Sequence, residues 1–163
     1  ARGDLTITVE SGLKLADLQA FLAPSGQFLP LDPSYADNDT IGGIMATADA
    51  GTWRQRYGGV RDLILGFSFI RHDGEIAKAG GRVVKNVAGY DMMKLFTGSY
   101  GTLGIIDQIT LRLYPETVNS ETLIITGNSE NISKLSQVIR QSALTPTVAE
   151  CLNPGMTQAL GLE

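Results

Sequence analysis

The chain has 163 residues, with 13 Lys and Arg against 17 Asp and Glu, one His and one Cys, for a formal net charge of −4. This balance excludes a basic nucleic-acid binder, the 43% hydrophobic and 18% charged content excludes a disordered polyelectrolyte, and no apolar run reaches the ~18 residues of a membrane-spanning helix. A lone Cys151 forms no intramolecular disulfide and a single His makes no zinc-type cluster, so no metal site is expected, and without a signal-peptide core the cytoplasm is the default compartment.

Leu5 to Glu10 alternates Leu5, Ile7 and Val9 with Thr6, Thr8 and Glu10, which predicts a strand with one buried face, opening onto a turn at Ser11-Gly12. Leu15, Leu18, Phe21 and Leu22 then fall at helical spacing, and Pro24 with Gly26 ends the pattern, so a short amphipathic helix is expected over 14–23. Phe28 to Leu31 reads as a brief extended piece. From Asp32 to Gly59 the composition is loop-like, apart from a helix starting near Ile41. Leu63 to Arg71 and Glu75 to Ala79 form the arms of a hairpin turning at His72-Asp73-Gly74, where the histidine is solvated. A helical segment follows over 91–96. Gly104 to Tyr114 reads as one long strand closed by Pro115. Beyond it, a strand at Leu123 to Thr126, a helix capped by Ser129 and carrying Ile132, Leu135, Val138 and Ile139, and an extended Thr147 to Leu152 suggest a β-α-β unit in a new domain.

Glycine is in excess, at 19 of 163 residues or about 12% against ~7% ordinarily. Its most informative setting is Asp32-Pro33-Ser34-Tyr35-Ala36-Asp37-Asn38-Asp39-Thr40-Ile41-Gly42-Gly43-Ile44-Met45-Ala46-Thr47-Ala48-Asp49-Ala50-Gly51. Paired glycines at a helix start allow a backbone to approach a ligand and aim N–H groups at an anion. The competing reading is a tight turn packed on neighbouring backbone. Arg54, Arg56 and Arg61 could make a phosphate patch, but Asp49 and Asp62 lie close in sequence and favour a solvated, ion-paired loop. Trp53 and Tyr57 suit either a stacked ligand or burial against the sheet or a partner. Met45, Met92 and Met93 read as core filler.

Three further strings follow: Arg56-Tyr57-Gly58-Gly59-Val60-Arg61-Asp62-Leu63-Ile64-Leu65-Gly66, Val84-Lys85-Asn86-Val87-Ala88-Gly89-Tyr90-Asp91, and Gly98-Ser99-Tyr100-Gly101-Thr102-Leu103-Gly104-Ile105-Ile106. Together with Thr40 to Gly43, their order and spacing resemble the FAD-binding domain of the vanillyl-alcohol oxidase type, also called PCMH-type, over about residues 7 to 115. Within that superfamily the lysine-containing string looks most like the FAD-binding E-type subunit of glycolate oxidase. The resemblance implies an α+β fold, mainly antiparallel sheet with flanking helices. Residues 1–115 would be the second subdomain of the FAD domain and 116–163 a partial α/β cap.

The resemblance also implies site residues. Pro33 to Gly43 would wrap the flavin and its pyrophosphate, with Pro33, Asp39 and Thr40 and the N–H groups of Ile41, Gly42 and Gly43 in contact. Thr47, Ala48, Ala50 and Gly51 match the next FAD-contacting stretch. Gly101, Gly104, Ile105 and Ile106 match a third, lying along the adenosine half through main-chain contacts. No catalytic residue is assigned.

Related domains carry a Gly/Ser-rich pyrophosphate loop before the first strand here, and nothing ahead of Leu5 supplies it, so both ends are expected to be truncated. Relatives that oxidise 2-hydroxy acids tend to have Arg and Thr flanking the lysine motif, where this chain has Val84 and Ala88, whose side chains bind no carboxylate. Lys85, Asn86 and Tyr90 remain polar, and Lys85 suits a substrate or flavin contact or a solvated ion pair. The implied parent is an FAD-dependent 2-hydroxy-acid oxidoreductase of the glycolate oxidase kind, cytoplasmic or peripheral to a membrane through partner subunits. The alternatives are a non-catalytic binding or assembly module and a sugar or lactone oxidase. Unpaired edges after Pro115 suggest self-association.

Overall fold

The computed structural model describes residues 4–81, 90–117 and 119–162. Contacts divide the chain into two compact units, Ala1–Ser120 and Glu121–Glu163.

The first unit is built on an antiparallel sheet of four strands: β1 (Thr6–Glu10), β3 (Ile64–Ile70), β4 (Ile76–Gly80) and β5 (Ile105–Arg112), in the order β1-β5-β3-β4. The register explains the sequence alternation. Val9, Ile109, Phe67 and Ala79 stand opposite one another across the four strands, and the first three are buried. The neighbouring row, Thr8, Thr110, Gly66 and Gly80, takes the opposite face, where the Thr8 and Thr110 hydroxyls lie 2.9 Å apart.

Helix α1 (Leu15–Leu22) buries Leu15, Leu18 and Leu22, the stripe that three- and four-residue spacing requires. Helices α2 (Ile41–Thr47) and α5 (Met92–Phe96) add Ile41, Ile44, Met45 and Phe96 to the same core. Phe96 meets Phe69 and Phe67 with ring centroids 4.4 and 4.9 Å away. Two single-turn helices went unread, α3 (Arg54–Tyr57) inside the stretch read as loop and α4 (Val60–Leu63) between it and the strand expected from Leu63; four residues are too few to display a helical period. The long strand closed by Pro115 is in fact two. The chain breaks at the buried Leu113, whose N–H donates to the Leu5 carbonyl at 2.7 Å. Tyr114–Pro115 then forms β6, pairing with β2 (Gln27–Phe28) in a two-stranded ladder, where a proline without an N–H is tolerated.

The second unit corrects the β-α-β expectation. Residues 123–126 and 147–152 form no ladder among the described residues, because no strand stands beside them to complete their hydrogen bonds. The unit holds α6 (Ser129–Gln141) and α7 (Pro154–Ala159). The cap of α6 is Asn128, one residue before the expected Ser129, and its side chain accepts from Asn131 N at 2.9 Å.

Candidate functional site

The start of α2 is the first element of the expected site. Thr40 is its N-cap, in extended conformation, with Oγ1 accepting the Gly43 N–H at 3.1 Å. The residues around it run as a short ladder against the turn between β1 and α1. Leu15 N donates to Asp39 O at 3.0 Å, Ile41 N to Leu13 O at 2.9 Å and Gly42 N to Ser11 O at 2.8 Å. The N–H groups of Ile41, Gly42 and Gly43, which the sequence offers to an anion, thus each donate inside the chain. Gly42 is glycine because a Cβ there would fall 2.7 Å from Ser11 Cβ.

The second stretch follows from the end of α2. Thr47 Oγ1 donates to Gly43 O at 2.9 Å, and Ala48 closes the helix in the left-handed region at φ 60°. Ala50 is buried. Gly51 has φ 69° and lies so close to Asp32 that no side chain fits. The Asp32 carboxylate accepts from Thr52 Oγ1 at 2.5 Å and from Trp53 N at 3.1 Å, and Asp49 accepts from Ser34 N at 3.0 Å. These bonds hold the buried Pro33 beside Ala50 and Gly51.

The third stretch is tied to the second. Gly98 N donates to Met45 O at 3.0 Å and Tyr100 N to Ala46 O at 2.9 Å, using carbonyls that the end of α2 leaves free. Gly101 is exposed, Gly104 is half-buried against Ile70 O, and Ile105 is 68% exposed. Ile106 turns its side chain into the core, so only its main chain could face a ligand. On one side that main chain pairs with β3, Ile106 opposite Phe69 and Ile105 opposite Ile70. β1 ends opposite Gln108, Ser11 N takes Asp107 O at 2.8 Å, and no described strand lies on the β1 side of Ile105 and Ile106.

The structure thus brings Met45, Ala46 and Ala48 together with the start of the loop 98–105, and packs Asp39 to Gly42 on the turn Ser11 to Leu15. Sequence reasoning missed one group. The Ser99 hydroxyl exposes less than 1 Å² and has no hydrogen-bond partner among the described residues. Two of the three non-glycine residues at positive φ among the described residues, Ala48 and Tyr100, at 60° and 53°, sit at this same junction.

Val84, Lys85, Asn86 and Ala88 lie outside the described residues. Tyr90 beside them is 95% exposed. Arg61 is ion-paired, though not to Asp62 or Asp49. It meets Asp91 through Nε and Nη2, the latter at 2.8 Å, and this hydrogen bond holds the Asp91 carboxyl below its ordinary value. Asp91 also caps α5, accepting from Lys94 N at 3.0 Å. Trp53 and Tyr57 are half-buried in a cluster with Phe28 and Tyr114, the Tyr57 and Tyr114 centroids being 4.9 Å apart.

A family model described as FAD binding domain matches residues 2–80. The chain is 36% identical over 136 residues to glycolate oxidase subunit GlcD of Bacillus subtilis, covering 83% of this chain and 28% of that protein. It is 42% identical over 113 residues to glycolate oxidase subunit GlcE of Escherichia coli, covering 69% and 32%. With the mitochondrial D-lactate dehydrogenase [cytochrome] of Arabidopsis thaliana it shares 40% identity over 110 residues, 68% of this chain and 19% of that one. A solved structure of alkyldihydroxyacetonephosphate synthase superposes with a TM-score of 0.60 at 27% identity over 71% of this chain and 20% of that chain. The chain spans about a third or less of the curated relatives it matches.

The mixed α/β fold with antiparallel sheets and flanking helices is that of a PCMH-type FAD-binding domain, and the cofactor class is FAD. This domain is homologous to those of glycolate oxidase and other 2-hydroxy-acid oxidoreductases.

Proposed function

We propose that the whole protein is the FAD-binding subunit of a flavin-dependent 2-hydroxy-acid oxidoreductase, of the kind of the E-type subunit of glycolate oxidase. Residues 1–115 serve in it as the second subdomain of the FAD domain, and 116–163 as part of the cap. The carrying observation is the junction of Ala46 and Tyr100, where the end of α2 is bonded to the loop 98–105 beside the unpaired Ser99 hydroxyl. Supporting it, identity is higher to GlcE than to GlcD, at 42% against 36%. On this reading Pro33, Asp39, Thr40, Ile41, Gly42 and Gly43 line the flavin. Thr47, Ala48, Ala50 and Gly51 continue that wall, and Gly101, Gly104, Ile105 and Ile106 offer main-chain groups to the adenosine half.

The chemistry a bound flavin supplies is acceptance of a hydride from the alpha carbon of a 2-hydroxy acid. This chain's part is to bind and orient, through backbone and small side chains, and to exclude water with its apolar wall. Its partners are other subunits of a glycolate oxidase-like complex, these 163 residues by themselves associate with a second copy, and its compartment is the cytoplasm or, through those partner subunits, the periphery of a membrane. A second reading, an accessory flavin subunit without turnover, is favoured by Val84 and Ala88, neither of which grips a carboxylate. The intact protein, purified and mixed without oxygen with glycolate, D-lactate or a sugar lactone, separates these. Bleaching of the flavin absorbance by glycolate or D-lactate is expected. Bleaching only by the lactone removes the substrate class, a yellow protein bleached by none favours the accessory reading, and a colourless protein that takes up no FAD ends the proposal.

A further inference from the structure

The flavin reading leaves the aromatic cluster around Tyr57 and the arginines beside it without a role. Phe28, Trp53, Tyr57 and Tyr114 are each half-buried and meet edge to face where α3 lies by the β2–β6 ladder. Arg112 lays its guanidinium over the Tyr114 ring, 4.9 Å from the centroid, and Arg54 and Arg56 stand on the same helical turn as Tyr57. All three arginines are exposed. The sequence offers Asp49 and Asp62 as ion-pair partners for this stretch, but both are engaged elsewhere. Asp49 accepts from Ser34 N at 3.0 Å and Asp62 from Gly59 N at 2.8 Å, while Asp32 is taken up by Thr52 and Trp53 N. The ion pairs among the described residues are Arg61 with Asp91, Arg71 with Asp73 and Lys134 with Glu130, so no described carboxylate pairs with Arg54, Arg56 or Arg112. Glu116, just past β6, is exposed and pairs with none of them.

We infer that this patch is a docking surface for a short acidic segment of a partner protein, its carboxylates bonded to Arg54, Arg56 and Arg112 and its apolar groups laid on Tyr57 and Tyr114. Rings locked against one another offer rigid contact area at little entropic cost, and arginine adds planar donors that match a carboxylate; Trp, Tyr and Arg are the residues on which interface energy concentrates. Charge selects the partner. The chain carries −4 overall, so a long polyanion such as a nucleic acid would be repelled beyond the patch, whereas a short segment within a Debye length of ~8–10 Å feels chiefly the three arginines. The four rings sit within the surface at half exposure, and none projects to enter the acyl chains of a membrane. Docking here requires no bound flavin, so its failure and that of the FAD reading are separate.

The test titrates the intact protein into a fluorescein-labelled peptide of alternating glutamate and leucine, read by anisotropy, with the glutamine counterpart as neutral control and phosphatidylserine vesicles, read by co-sedimentation, as a second probe. Expected are saturable binding of the glutamate peptide that weakens with added salt, and none of the glutamine peptide. Each of Arg54→Ala, Arg56→Ala and Arg112→Ala should weaken Kd about 2- to 5-fold, as suits an exposed charge pair, and the triple variant about 10-fold or more. Arg71→Ala should leave Kd unchanged, since it removes the same charge from the far end of β3, about 20 Å along the sheet from Arg112. Absence of glutamate-peptide binding, equal binding of the glutamine peptide, or an effect of Arg71→Ala as large as those in the patch would overturn the proposal. So would vesicle binding that the same three arginines control with no peptide binding, which would make the patch a membrane contact.

Discussion

Gly42 and Ser11 are in backbone contact: Gly42 N donates to Ser11 O at 2.8 Å, and a Cβ on Gly42 would stand 2.7 Å from Ser11 Cβ. The paired glycines therefore serve first to let the start of α2 dock on the turn after β1. Gly42→Ala should destabilise the ligand-free protein by roughly 1–3 kcal/mol through overpacking, and adding Ser11→Gly should restore part of that. Chemical denaturation of the single and double variants checks it. An alanine variant of full stability that loses only its flavin would return Gly42 to a pure cofactor role.

Gly51 faces a stricter demand, since it combines φ 69° with the Asp32 carbonyl and carboxylate in its Cβ position. Gly51→Ala should cost about 1–3 kcal/mol or more. Asp32→Asn, which keeps the size of the group but weakens its bonds to Thr52 and Trp53, should cost less. Thermal unfolding of both orders them, and the reverse order would show that the carboxylate, not the backbone, governs this turn.

Acid should weaken the clasp between Arg61 and Asp91. The Asp91 carboxyl is held below its ordinary 3.8 by the Arg61 hydrogen bond, so its contribution is present above that value and fades as pH falls through the lower folded value. The stability gap between the unmodified protein and Asp91→Asn should be steady near neutrality, shrink below about pH 4, and be smaller at high salt because the pair is partly exposed. Urea titrations across that range read it. A gap that grows on acidification would contradict the assignment.

Tyr57 holds the aromatic cluster together, touching Phe28 and Tyr114 at ring-centroid distances of 5.6 and 4.9 Å and Trp53 at 6.5 Å. Tyr57→Ala should lose roughly 1–3 kcal/mol, less than a fully buried aromatic because the cluster is half-exposed. Trp53 is the sole tryptophan, so its emission should move to longer wavelength in the variant as water reaches the indole. An unshifted spectrum would mean that Phe28 alone shields it.

The donor accounting at α2 bears on affinity. With Ile41, Gly42 and Gly43 N–H groups all engaged internally, these 163 residues on their own should hold FAD more weakly than the ~8 kcal/mol of micromolar binding, leaving the ligand-free form dominant. Isothermal titration decides this. A stoichiometric micromolar site would require donors other than the ones identified.

Much of this was legible in the sequence where periodicity or turn chemistry is strong. Alternation marks β1, leucine spacing marks α1, and Asp73-Gly74 marks the hairpin, where Gly74 N donates to Arg71 O at 3.0 Å. Of the FAD-domain strings, the one holding Thr40 to Gly43 and the one from Gly98 to Ile106 meet at α2. What could not be read was partnership. Nothing in the order of residues indicates that Ser11 and Leu13 supply the acceptors for α2, or that Arg61 reaches past Asp62 to Asp91. Helices α3 and α4 are too short to carry a period. Leu123 to Thr126 has strand composition, yet composition provides no neighbouring strand. Ser99 lies within the Gly98 to Ile106 string, but the burial of its hydroxyl comes only from the packed loop.

The pairing of β1 with β5 has a kinetic consequence. Thr8 meets Thr110 across a separation of 102 positions, so during synthesis the first strand waits, edge unpaired, until nearly the whole first unit has left the ribosome. The β3–β4 hairpin is local and can form early, whereas closing so long a loop carries an entropy cost recovered only when β5 slots between β1 and β3. β5 is therefore the keystone of the fold, and its arrival converts a local hairpin and a stray N-terminal strand into one cooperative sheet.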